Sequence, residues 1–202
     1  LVKLNNRGVR SATTFGSISA LGEMRFISKL TASSSSTLSF VHGSSDVDFS
    51  TYKEYLFTFK NIHPSASSKL SVNFSIDAGS NYNVTKTNTL FNVQHDEADS
   101  YAEMAYSGSD DLAQSTAFAV ISPGSTGTDN DSNLGGYLHL FNPSSAVFVK
   151  HFIAQVNHSA GAATNNCFMA GYCNTTSDVD AVQFKMSTGN IDAGDICLYG
   201  IN

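Results

Sequence analysis

The last twenty residues constrain the fold most. Val182, Phe184 and Met186 alternate with Gln183 and Lys185, the period-2 pattern of a strand with one face buried. Gly189 and Gly194 punctuate the next stretch, Thr-Gly-Asn-Ile-Asp-Ala-Gly-Asp, where a tight connection needs backbone freedom. Ile196, Cys197, Leu198, Tyr199 and Ile201 then form a nearly continuous apolar run, as in a strand covered on both sides. The spacing predicts a strand pair closing an all-β domain.

The same signal recurs upstream. Tyr55, Phe57 and Phe59 share one face, and Leu70, Val72, Phe74 and Ile76 alternate with Ser71, Asn73 and Ser75, which predicts a strand with one wet face. Further strands are expected at Met24–Ser28, Thr37–Val41, Leu90–Val93, Phe118–Ile121, Gly136–Phe141, Val147–Val156 and Phe168–Tyr172. Gly, Ser, Asn and Pro signals separate them, and the segment from His95 to Asp111 reads as an acidic loop or solvated face. About ten short strands in this spacing predict an antiparallel β-sandwich, jelly-roll-like, with an N-terminal extended or partly helical arm. Charged residues make up only 14% of the chain, so Ser, Thr and Asn supply much of the surface, a composition strands tolerate better than helices. Residues 1–30 are expected to hold the arm and first strand, and residues 31–202 the sandwich.

Charge is divided between these parts. Residues 1–30 carry a net +4 and the rest a net −10, within an overall −6. A basic arm on an acidic body suggests docking, and Arg7, Arg10, Phe15, Ile18 and Leu21 are the candidate anchoring residues. The acidic body argues against nucleic-acid binding, because phosphates would be repelled. The sequence has no apolar run of eighteen residues, so no membrane insertion is expected. The N-terminal stretch shows no signal-peptide core, and cytoplasmic synthesis is expected. Cys167, Cys173 and Cys197 each sit in a strand-like apolar setting, which predicts inert core thiols.

Few residues suggest chemistry. Asp129, Asp131 and Asn133 place oxygen ligands at alternate positions, like the start of a calcium loop. Leu134 stands where that loop needs Gly, and Leu140 where it needs a bidentate Glu, so a plain Asx-turn loop is expected, with no metal or cofactor. The six histidines lack metal-ligand spacing, and no Gly-x-Ser-x-Gly elbow is present. The carboxylates leave glycoside cleavage open as an alternative, since sequence cannot pair them across a fold. Tyr82, Tyr101, Tyr106 and Tyr137 lie in or beside polar loops and offer a possible sugar-stacking surface.

Four stretches carry a resemblance. Asn6–Ala12, Tyr52–Phe57, Gly136–Pro143 and the ending Phe-Lys-Met-Ser-Thr-Gly-Asn-Ile-Asp-Ala-Gly-Asp-Ile-Cys-Leu-Tyr-Gly-Ile resemble virion appendage proteins of tailed, marine cyanophage-like bacteriophages. These are head decoration, head-fibre or tail-fibre proteins. The resemblance implies a non-enzymatic structural protein on the virion surface, held by residues 1–30 to a capsid or tail protein. It also implies a homotrimer. The compact chain favours head decoration or a short fibre over a tail appendage. A host-glycan-binding module, or a polysaccharide-degrading enzyme, is the alternative.

Overall fold

The computed structural model describes residues 24–159 and 161–202. Those residues form an antiparallel β-sandwich of thirteen strands and no helix. The strands are β1 (Met24–Thr31), β2 (Leu38–Val41), β3 (Glu54–Pro64), β4 (Leu70–Ser75), β5 (Lys86–Asp96), β6 (Ala102–Tyr106) and β7 (Leu112–Ser115). They continue with β8 (Ala119–Val120), β9 (Leu134–Phe141), β10 (Lys150–Ser159), β11 (Ala163–Cys173), β12 (Ala181–Met186) and β13 (Ile191–Ile201). The larger sheet runs β1-β13-β3-β9-β10-β11-β5-β6, with β7 also on β5, and the smaller runs β2-β12-β4-β8. Each strand of the smaller sheet is entered from and left for the larger one, so the chain changes sheet on both sides of β2, β4, β8 and β12. This shuttling is the jelly-roll pattern, here enlarged by the hairpin β10–β11 and by the edge strand β1 on β13.

Aromatic rings join the layers. Phe57 packs edge-on between Phe40 of β2 (5.4 Å) and Phe184 of β12 (5.4 Å), and Phe59 meets Phe184 at 5.3 Å. Burial of such rings dominates the hydrophobic stabilisation of the sandwich, and their T-shaped contacts add to it. Tyr55 is buried too, and its hydroxyl donates to the Asp48 carbonyl at 2.6 Å while accepting the Tyr52 N–H at 3.0 Å. Burial pushes that phenol up to about 12.

A row of polar groups crosses the core beside these rings. Lys150, Cys173 and Lys86 are cross-strand neighbours on β10, β11 and β5, and all three are buried. Lys86 Nζ donates to the carbonyls of Val84 (2.9 Å) and Ala117 (2.6 Å), and Lys150 Nζ to those of Ser145 (2.6 Å) and Thr175 (3.3 Å). Backbone oxygens therefore replace the water each amine gives up. Desolvation still lowers Lys86 to about 8 and raises the Cys173 thiol to about 12.

Three expectations are corrected. Val182–Met186 and Ile196–Ile201 are both strands, but they do not pair: β12 lies between β2 and β4, whereas β13 lies between β1 and β3. The glycine-bearing connection crosses from one sheet to the other. Secondly, β4 has no wet face; Ser71, Asn73 and Ser75 are all buried. Their side chains find protein partners: Ser71 Oγ bonds Lys185 O (3.0 Å), and Asn73 Nδ2 bonds Tyr82 O (2.6 Å) and Thr116 O (3.0 Å). Ser75 Oγ donates to Asp77 Oδ1 (2.8 Å). Thirdly, the acidic stretch after His95 is not all loop: it contains the edge strand β6, exposed along most of its length as a solvated face, and entered by a turn that Asp96 holds by accepting the backbone N–H of Ser100 and Tyr101.

Candidate assembly surface

The outer face of the larger sheet is built by the strand register. Because side chains alternate, a residue paired with an inward neighbour points inward. Tyr55, Phe57 and Phe59 face the core, so Leu56 and Thr58 face out, and with them their partners His139, Tyr137, Cys197 and Tyr199. The next strands continue this layer through Gln155 and Ile153 of β10, Phe168 and Ala170 of β11, Phe91 and Val93 of β5, and Tyr106 and Met104 of β6. One row therefore reads Tyr137–Gln155–Phe168–Phe91–Tyr106 across five strands. None of its members is charged.

The face is apolar at both ends. Phe91 stacks on Phe168 with centroids 5.0 Å apart, and Val93, Met104, Tyr106 and Ile153 lie exposed around them. At the opposite edge Met24 and Phe26 of β1 are exposed, with Phe26 packed edge-on against Tyr199 at 5.6 Å. Between them His139 donates from Nδ1 to the Glu54 carboxylate and stacks on Phe141 at 6.0 Å. A shallow depression of about 350 Å³ lies beside the stacked pair, lined by Phe91, Phe168, Tyr137, Ile153 and Gln155 among others. Met104, 73% exposed, stands proud of the same face.

A second recess is polar. Asn92 and Gln94 of β5, Glu103 of β6 and Asn165 of β11 line a groove of about 400 Å³ on the inner side of the sheet's free edge. Lys69 closes one wall by an ion pair with Asp110 at 2.7 Å. Asn92 Nδ2 donates to Asn165 Oδ1 at 3.2 Å.

The residues singled out from sequence are distributed as follows. Arg7, Arg10, Phe15, Ile18 and Leu21 lie outside the described residues. In the 129–133 loop the backbone does the bonding. Asp129 O accepts the Ser132 N–H (2.8 Å), Asp131 O accepts Ser159 Oγ (2.9 Å), and Asn133 N–H donates to Ser159 Oγ (3.1 Å). Asp129, Asp131 and Asn133 thus shape a turn against β10, and no three His, Cys, Asp or Glu side chains converge as a metal set among the described residues. The four tyrosines do not form one stacking surface: Tyr137 and Tyr106 lie on the outer face but with three strands between them, Tyr101 is exposed in the turn before β6, and Tyr82 lies beside β4. Cys167, Cys173 and Cys197 are buried and free.

One grouping resembles a nucleophilic site. His158 and Asn165 are cross-strand partners, and His158 Nε2 and Cys167 Sγ both approach the Pro123 carbonyl, at 3.0 and 3.9 Å. Burial pushes the Cys167 thiol up to about 12 and the His158 imidazole down. A protonated sulfur sealed in the core has no access to substrate, so this trio packs rather than reacts.

No protein-family model, no curated protein and no solved structure matches this chain. The outer face was missed from sequence, although a signal is present. Tyr137–Phe141, Phe168–Met169 and Leu90–Phe91 are apolar on both strand faces, a pattern that asks for cover on both sides. Among the described residues no helix supplies the second cover.

Proposed function

We propose that this is a non-enzymatic structural protein of a bacteriophage virion, anchored by residues 1–30 and projecting its β-sandwich from the particle. Head decoration or a short fibre is favoured over a tail appendage. The observation that carries this is the apolar patch on the outer face over β10, β11, β5 and β6, with Phe91, Val93, Met104, Tyr106 and Ile153 exposed together. A contiguous exposed apolar patch marks a surface destined for contact, which suits a protein that functions by assembly. The basic N-terminal segment, Lys3, Arg7 and Arg10 among small residues, supports docking on an acidic partner.

Localisation on intact particles by cryo-electron microscopy tests the placement. Removing residues 1–22 is expected to leave a soluble sandwich that no longer joins the particle. Normal occupancy by the truncated chain would show that the segment is not the anchor.

A host-glycan-binding role is the second reading, and the polar groove favours it. Asn92, Gln94 and Glu103 offer the amide and carboxylate partners that sugar hydroxyls use. Glycan-array binding that Glu103→Gln or Asn92→Ala abolishes would support this role. Release of reducing sugar instead would point to the polysaccharide-degrading alternative.

A further inference from the structure

We infer that the outer face of the larger sheet is the contact between copies of this chain, Met104 of one copy entering the depression beside Phe91 and Phe168 of another. The inference rests on reading that face as an assembly surface, and it names the occupant. Three observations select a second copy over other partners.

The first is electrostatic. The chain carries a net −6, so copies repel except through a neutral surface. The rows built on Phe168, Phe91 and Tyr106 contain no charged side chain; the charges of this face lie toward its other edge, where Lys29 pairs with Asp195, Lys60 lies over Cys197 and Glu54 meets His139. An anionic lipid, a nucleic acid or a basic peptide would find no countercharge around Phe91 and Phe168, and charge complementarity is what such partners require. A like face carries no such penalty.

The second is extent. Eight strands about 4.8 Å apart, with about 20 Å of outward side chains along each, give roughly 770 Å² of projected face. A stable interface buries about 800 Å² per partner. The dimensions therefore suit a protein-sized occupant, and the whole face can be covered at once.

The third is shape. The projecting Met104 and the depression of about 350 Å³ lie on one face, about two to four strands apart. Each copy thus offers both knob and hole, as a symmetric closed assembly requires. Methionine suits the role because its unbranched, polarisable side chain packs against aromatic rings.

The test uses the full chain. Light scattering after size exclusion and sedimentation velocity, from about 1 to 100 μM, are expected to give a discrete dimer or trimer. Met104→Glu and Ile153→Glu are each expected to weaken self-association by at least about 100-fold, since a carboxylate would be buried unpaired within the contact. Both side chains are exposed, so circular dichroism should stay unchanged and the melting temperature should match that of wild type diluted to the monomer. Ile76→Glu, just after β4 of the other sheet, is the control and should leave the mass unaltered. A wild-type chain that stays monomeric to 100 μM overturns the inference, as does an oligomer that survives Met104→Glu and Ile153→Glu combined in one chain. Monomers that float with phosphatidylcholine vesicles would assign the face to a lipid surface instead. If monomeric chains still join the particle, only the self-contact fails; if oligomers never join it, the virion role fails.

Discussion

Lys86 gives the most quantitative test of the fold. Its amine is buried in the core and lowered from 10.5 to about 8 by desolvation, with the Cys173 sulfur opposing that shift weakly. In the unfolded chain the amine returns to 10.5, so between pH 8 and 10.5 the unfolded state binds more protons than the folded one. Stability must then rise with pH across that window. At pH 7 the shift opposes folding by about 3 kcal/mol, and at pH 10 by about 1 kcal/mol, so roughly 2.5 kcal/mol is regained.

Replacement by Met isolates this term. Lys86→Met removes the titrating group but leaves the carbonyls of Val84 and Ala117 without a donor, at a pH-independent cost of about 1–3 kcal/mol each. The absolute stability change mixes these effects; its pH dependence does not. Urea unfolding of both proteins at pH 7, 8, 9 and 10 is the assay. Other titrating groups cancel in the difference. Wild type should gain about 2 to 3 kcal/mol on the variant between pH 7 and 10, with a slope that begins near pH 8. A difference flat across that range would refute the claim that the amine is desolvated.

Three further outcomes follow from local geometry. An added Cβ at Gly200 would lie 2.2 Å from the Tyr52 ring, so Gly200→Ala should displace that ring and cost roughly 1–3 kcal/mol by overpacking, read as a lower urea midpoint. Asp48 is held at about 2 by hydrogen bonds from Ser50 and Thr51, so its contribution to stability is present above 3.8 and lost as pH falls through 2. Carbon-detected NMR should place its midpoint near 2, and a midpoint at or above 3.8 would contradict those bonds. All three thiols should resist a disulfide reagent at pH 8 in the native protein and react together in denaturant, because Cys167, Cys173 and Cys197 are buried; prompt labelling of any one would show that its strand opens locally.

Strand positions were readable because period 2 needs only the local sequence. Tyr55, Phe57 and Phe59 face the core as their spacing predicts, and Ile196 to Leu198 are buried on both sides. Pairing was not readable, because alternation gives a residue's face and not its neighbour. That is why β12 and β13, adjacent in sequence, were expected to pair while the chain sends them to opposite sheets. Ser71, Asn73 and Ser75 deceived for a related reason. A small polar side chain in an alternating strand satisfies its hydrogen bonds with water or with carbonyls, and only the packed structure decides between them. In β5 the phase inverts: Leu90 is buried, but beyond it Phe91 and Val93 point outward while Asn92 and Gln94 turn in.

That inversion ties the two candidate surfaces to one cause. A nine-stranded sheet faces a four-stranded one, so the smaller sheet cannot cover the inner side of every strand in the larger. Near β6 the inner side is no longer core, and Asn92, Gln94 and Glu103 occupy it as polar, half-buried or exposed positions. Phe91, Val93 and Met104 then fall by alternation on the outer side, where nothing in the described residues covers them. If this apolar layer served only to stiffen a solvent-facing sheet, Thr would serve as well, since it has high strand propensity and a hydroxyl for water. Replacing Phe91 and Val93 with Thr would then leave both fold and assembly intact. The uncharged rows and the projecting Met104 argue that the layer is spent on contact instead, so the same double substitution should preserve the fold and abolish self-association.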